Sequence, residues 1–153
     1  MILATIMKIY LDTSTLNRIF DDQSQIRIAL EAKAVQSILL LLESHTVDLY
    51  SSEALTYEIS RNPYPERQTF CTQVLQAAQH TQALNPTILE RGQFLETHHN
   101  LGAIDALHVA CAEQMGVDYL ITCDDRLIKR YLGSLTLCNP VQFILTITSP
   151  HQP

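Results

Sequence analysis

The run GAIDALHVACAEQMGVDYLITCDDRL, residues 102–127, decides the fold. Its first half sets Ile104, Leu107, His108, Cys111, Ala112 and Met115 on one apolar or small face at helical spacing, and Gly116 stands where a left-handed cap ends a helix. Tyr119-Leu120-Ile121-Thr122 then reads as the strongest strand of the chain, closed by Cys123-Asp124-Asp125 and followed by a helix-like stretch over 126–132. This helix–strand–helix unit carries Asp105 in a first helical turn and Asp124 at a strand tip.

Upstream, residues 8–11 (KIYL) are β-rich and end at Asp12-Thr13-Ser14, residue types that leave a strand and cap the next helix. From Ser24 to about Ser44, Ile28, Val35, Ile38, Leu39 and Leu42 recur at helical spacing, which predicts the longest helix. A strand over 47–50 follows, then a helix over 53–61, capped by Ser52, containing Glu58 and ended by Asn62-Pro63. Further helices are predicted over 64–79 and from Pro86 to about His98, with a short strand over 135–138 and a last apolar segment over 141–147. Strands separated by connections too long for hairpins imply crossovers. The fold class is therefore α/β, a three-layer α/β/α sandwich with a mainly parallel sheet covered by helices on both faces. In such sheets the site lies beyond the carboxyl ends of the strands.

Residues 1–153 form one expected domain with no linker, repeat or low-complexity tract, and 46% hydrophobic with 17% charged residues excludes a disordered or fibrous chain. The apolar run 38–42 meets Glu43 long before the roughly 20 residues of a bilayer span. The apolar start over 1–7 lacks a basic opening, so neither membrane insertion nor a signal peptide is expected, and the location is cytoplasmic. Cys71, Cys111, Cys123 and Cys138 lie far apart and read as reduced, buried thiols, and zinc-type spacing is absent from the six histidines; His45, His80 and His151 stand in polar, exposed stretches. A net charge of −6 excludes a strong overall positive field for nucleic acid, but an acidic site that binds cations adds to that total.

Asp12 and Asp124 fall at the ends of two strands, while Glu58 and Asp105 lie on helices able to face the same crevice. Crowded carboxylates raise one another's pKa unless cations neutralise them, and hard oxygen ligands select Mg²⁺ or Mn²⁺. Such ions orient and acidify an attacking water and stabilise a phosphate in in-line displacement, so phosphodiester cleavage is the natural chemistry. Each acid has a plainer role beside this one. Asp12 is also suited to cap a helix and Asp105 to sit as a first-turn acid. Asp125 competes with Asp124, one capping the following helix while the other serves the site, and Glu53 competes with Glu58. His108, three residues after Asp105, reads as a satisfied semi-buried histidine and not as a ligand. Among Arg61, Arg67, Arg126, Lys129 and Arg130, the group over 126–130 is the best candidate for phosphate. Spacing alone does not bring the acids together.

The opening KIYLDTST over 8–15, the Ser51-Ser52 to Glu58-Ile59 segment, DALHVACA over 105–112, GVDYLITCDD over 116–125 and the ending NPVQF over 139–143 resemble, in order, the motifs of PIN domains. The resemblance covers nearly the whole chain. It implies that Asp12, Glu58, Asp105 and Asp124 are metal ligands for Mg²⁺ or Mn²⁺, with Thr13 and Thr122 supporting them by hydrogen bonds. In length and motif layout the chain is similar to VapC-like toxins of toxin–antitoxin pairs. That implies a metal-dependent endoribonuclease acting on RNA, silenced by a cognate antitoxin that inserts a basic side chain among the acids, and forming a homodimer. A catalytically weak PIN-type module that binds RNA or protein is the alternative. A phosphoacceptor signalling domain is a third reading, which the 102–125 block does not resemble.

Overall fold

The computed structural model describes residues 5–149, so the first residues of the apolar start and His151 lie outside the described residues. The chain runs β1 (Met7–Leu11), α1 (Thr13–Leu16), a 3₁₀ turn (Arg18–Phe20), α2 (Ile26–Glu43), β2 (Val47–Ser52), α3 (Glu53–Ser60), α4 (Pro65–Leu75) and β3 (His80–Gln82). It continues with α5 (Pro86–His98), α6 (Ala103–Met115), β4 (Tyr119–Ile121), α7 (Asp125–Arg130), β5 (Thr136–Cys138) and α8 (Pro140–Thr148).

The five strands form one sheet in the order β3-β2-β1-β4-β5, and every pairing is parallel. The fold is thus the expected α/β sandwich, with the sheet parallel throughout. β1 is central because its side chains suit a strand covered on both faces: Ile9, Tyr10 and Leu11 are fully buried. From β1 the chain winds outward to β2 and β3, then returns past β1 to build β4 and β5 on the other side. Right-handed crossovers in opposite directions place their helices on opposite faces. One layer pairs α2 with α8 and the other pairs α5 with α6. The reversal occurs between β1 and β4, so their carboxyl ends flank the crevice where ligands bind in open parallel sheets.

Local chemistry explains the boundaries. α2 starts at Ile26 rather than Ser24, because the Ser24 amide donates to Asp22 Oδ1 at 3.0 Å in a turn instead of Ser24 capping the helix. α4 stops at Leu75, short of the expected Gln79, since the chain must turn for the Gln79 amide to donate to the Leu49 carbonyl at 2.8 Å and begin β3. β3 itself, His80-Thr81-Gln82, has no apolar signature because it is an exposed edge strand. Gly116 ends α6 at φ +66°, in the left-handed conformation expected of it. The final apolar segment is a helix, with Asn139 capping and Pro140 in its first turn. All four cysteines are free and buried.

Candidate active site

Asp12 follows the last residue of β1 and is buried, at 3% exposure. Its Oδ1 accepts from the Thr15 amide at 3.0 Å and from the Ser14 hydroxyl at 2.7 Å, capping α1. Asp124 comes just beyond β4 and caps α7, its Oδ1 accepting from the amides of Arg126 at 2.9 Å and Leu127 at 3.3 Å. The two strand tips are tied together. The Asp12 amide donates to the Ile121 carbonyl at 3.2 Å, the Thr15 hydroxyl donates to the same carbonyl at 3.0 Å, and the Cys123 amide donates to Ser14 Oγ at 3.0 Å. Thr122 Oγ1 accepts from the Asp124 amide at 3.0 Å and lies 3.3 Å from Ser14 Oγ. Glu58 reaches the same place from α3, and Asp105 from the first turn of α6.

Asp12, Glu58, Asp105 and Asp124 line one open cleft of about 610 Å³. Burial raises the pKa of Asp105 to about 6; the charge of His108 opposes the rise, while those of Asp12, Asp124 and Glu58 add to it. Asp12 is also raised by burial, against the pull of the Thr122 and Ser14 hydroxyls, His108 and the Thr15 amide. Glu58 moves the other way: burial pushes it up, but the hydrogen bond and charge of His108 and the Thr13 hydroxyl outweigh this and hold it below the usual glutamate range.

His108 is the least anticipated member of the site. It is wholly buried rather than half-buried, and both ring nitrogens are engaged: Nε2 with Glu58 Oε1 at 2.8 Å, Nδ1 with the Tyr10 hydroxyl at 2.7 Å. A carboxylate only accepts, so Nε2 donates in the bond to Glu58, and the Tyr10 hydroxyl is the partner of Nδ1. The Tyr10 oxygen in turn lies 2.7 Å from Ser52 Oγ, which caps α3. Burial pushes the Tyr10 pKa well up, keeping the phenol a donor. Thr13 Oγ1 completes the grip on Glu58, donating to Oε1 at 2.6 Å.

The structure also separates the competitors. Asp124 both caps its helix and lines the cleft, so the division of labour expected between it and Asp125 does not occur. Asp125 pairs with Arg27 in a two-pronged bridge at 2.6 and 2.7 Å and does not line the cleft. Glu53 is an exposed first-turn acid, also outside the cleft lining. Thr13 lines the cleft, whereas Thr122 is fully buried behind it. The basic residues are a correction: the group over 126–130 does not line the cleft, and Arg18, Arg61 and Arg67 do. Tertiary folding brings these three together from different elements. Arg18 was not singled out by the sequence because its role depends on Glu31 and Asp21, which hold it at 2.8 and 3.0 Å.

Divalent cations fit this donor set in kind. Glu58 and Asp124 each commit one oxygen to protein donors, and among the described residues no hydrogen bond is made to Glu58 Oε2, Asp124 Oδ2 or either oxygen of Asp105. Among the same residues, no group of three His, Cys, Asp or Glu side chains is assembled as a finished metal site. Like charges in one cleft favour such separation.

A family model described as the PIN domain matches residues 9–132. No curated protein matches the chain. Among solved structures, PAE2754 from Pyrobaculum aerophilum superposes with a TM-score of 0.57 at 18% identity, over 92% of this chain and 88% of the other. VapBC2 from Rickettsia felis, solved bound to a DNA fragment from its promoter, gives a TM-score of 0.57 at 17% identity, over 87% of this chain and 98% of that one. These likenesses are to the fold. With a parallel sheet of this order, acids at the switch point and a family match spanning most of the chain, the protein belongs to the PIN domain family.

Proposed function

We propose that this protein is a divalent-metal-dependent endoribonuclease, acting as a single domain, with Asp12, Glu58, Asp105 and Asp124 as its metal ligands. The observation that carries the reading is the meeting of these acids, from four separate elements, in one cleft at the switch point between β1 and β4. Mg²⁺ or Mn²⁺, when bound, supplies Lewis-acid stabilisation of the phosphate and a water of lowered pKa. The chain supplies the rest. Thr13 and His108 fix Glu58, Ser14 and the Thr15 amide fix Asp12, and Arg18, Arg61 and Arg67 give the acidic cleft a cationic wall for flanking phosphates.

The reading extends to a cytoplasmic toxin of a toxin–antitoxin pair, active on RNA, homodimeric and silenced by an antitoxin that places a basic side chain among the four acids. The shared fold with VapBC2 supports it. No helix among the described residues is long and apolar enough to cross a membrane. A PIN-type module that binds RNA or protein with little cleavage is the alternative reading, and the presence of all four acids in one cleft argues against it.

One assay divides the two. Purified protein is incubated with mixed RNA and Mg²⁺ or Mn²⁺, beside EDTA and an Asp12→Asn variant. Asn retains the capping oxygen, so the variant removes charge while keeping α1. Metal-dependent cutting that the variant loses supports the nuclease. Equal cutting by both proteins marks contamination, and no cutting by either moves the binding module ahead.

A further inference from the structure

The cleft has a second wall whose chemistry differs from that of the acids. Between α3 and α4 the chain turns through Arg61, Asn62, Pro63 and Tyr64, all of which line the cleft. Tyr64 is 61% exposed. It is nevertheless anchored. Its amide donates to Asn62 Oδ1 at 2.9 Å, Asn62 Nδ2 donates to Asn17 Oδ1 at 3.3 Å, and the Gln68 side chain donates to the Asn62 carbonyl at 2.7 Å. The Arg67 guanidinium lies 5.3 Å from the Tyr64 ring centre and 5.6 Å from that of Phe20, and is pinned by Asp21 at 3.1 Å and the Phe20 carbonyl at 3.2 Å. The Tyr64 ring is therefore backed by a fixed cation while the residue stays largely exposed. Arg61, exposed and without an ion pair among the described residues, sits 5.7 Å from the ring of Tyr57 on the same rim.

An exposed aromatic ring backed by a pinned guanidinium, with a second, unpaired guanidinium lining the same cleft, is the arrangement that holds one unpaired nucleotide, the base on the ring and the flanking phosphates on arginine. A duplex cannot use it, because its bases are already stacked on each other. We propose that Tyr64, backed by Arg67 and with Arg61 on the same cleft wall, is a base-stacking subsite that takes an unpaired RNA nucleotide next to the phosphate held at the acids. The subsite rests on the endoribonuclease reading, and it adds stacking to a cleft in which acids outnumber arginines. Three of the chain's ten Lys and Arg residues line this cleft.

The test uses the full chain with Ca²⁺ in place of Mg²⁺ and Mn²⁺, so that the acids are neutralised by a hard cation, and binding is read on RNA shown by gel to stay intact. A fluorescein-labelled single-stranded RNA 12-mer carrying 2-aminopurine, and its duplex, are titrated with the parent protein, Tyr64→Ala and Tyr64→Phe. The proposal expects Tyr64→Ala to weaken single-strand binding about tenfold and to abolish the fluorescence quenching of the stacked 2-aminopurine. Tyr64→Phe, which keeps the ring, should stay within about twofold of the parent, and duplex binding should be weaker than single-strand binding and insensitive to both variants. Unchanged binding by Tyr64→Ala, equal losses in both variants, or no RNA binding by the parent overturns the subsite. Cleavage assayed separately with Mg²⁺ keeps the two readings apart: a parent that cuts and is unaffected by Tyr64→Ala sinks the subsite alone, whereas quenching without any cutting sinks the nuclease alone.

Discussion

His108 Nε2 stands 2.8 Å from Glu58 Oε1 while its other nitrogen holds Tyr10, so a buried histidine links the centre of β1 to an acid on α3. Ser52, Tyr10, His108, Glu58 and Thr13 form one hydrogen-bonded chain across five elements, β2, β1, α6, α3 and α1. Within it, each member fixes the next.

Replacing His108 with Phe keeps most of the volume but leaves the buried Tyr10 hydroxyl without that partner and Glu58 with Thr13 alone. Unfolding free energy is expected to fall by about 2–3 kcal/mol in urea titrations at pH 7, with about 1 kcal/mol for Tyr10→Phe, which spares the His108–Glu58 bond. Equal stability of His108→Phe and the parent would show that the bridge carries no weight.

Asp105 governs a pH effect whose sign is fixed by its raised pKa of about 6, against 3.8 in the unfolded chain. Between these values the folded state binds more protons, so the contribution of Asp105 to stability declines as pH rises from about 4 to about 6 and is constant above. Asp105→Asn removes the penalty. In the absence of metal the variant should melt higher than the parent at pH 7.5 and no higher at pH 4, whereas Mg²⁺ or Mn²⁺ should raise the melting temperature of the parent more than that of the variant. Thermal scans at the two pH values, with and without metal, check both halves.

Burial pushes the thiols of Cys71, Cys111 and Cys138 up to about 11 and that of Cys123 up to about 12. Since the thiolate is the reactive form, iodoacetamide at pH 8 should leave all four unmodified in the folded protein over a time that alkylates them fully in urea. Rapid modification of a single cysteine by intact-mass measurement would contradict its placement in the core.

Gly116 holds φ +66° with open space where a Cβ would stand, so the strain of a substitution there is conformational alone. Gly116→Ala should cost about 1–2 kcal/mol through the left-handed backbone, without altering RNA cleavage. Denaturant midpoints and the cleavage assay, run side by side, separate the two effects.

The sequence by itself determined the α/β class, most of the helices, the parallel crossovers and the strand tips carrying Asp12 and Asp124, because these follow from local periodicity, caps and connection lengths. It also marked Glu58 and Asp105, through resemblance to a family. Only the tertiary structure decided what depends on contacts between residues far apart in the chain. It sent Asp125 to Arg27 and left Asp124 in the cleft, and it moved the cationic wall from the 126–130 group to Arg18, Arg61 and Arg67. It made His108 the brace of Glu58, and it formed β3 from three polar residues whose pairing partner lies in β2. No local pattern encodes these. A side chain's partner across a sheet is fixed by which strands become neighbours, and that is settled by burial of the whole core.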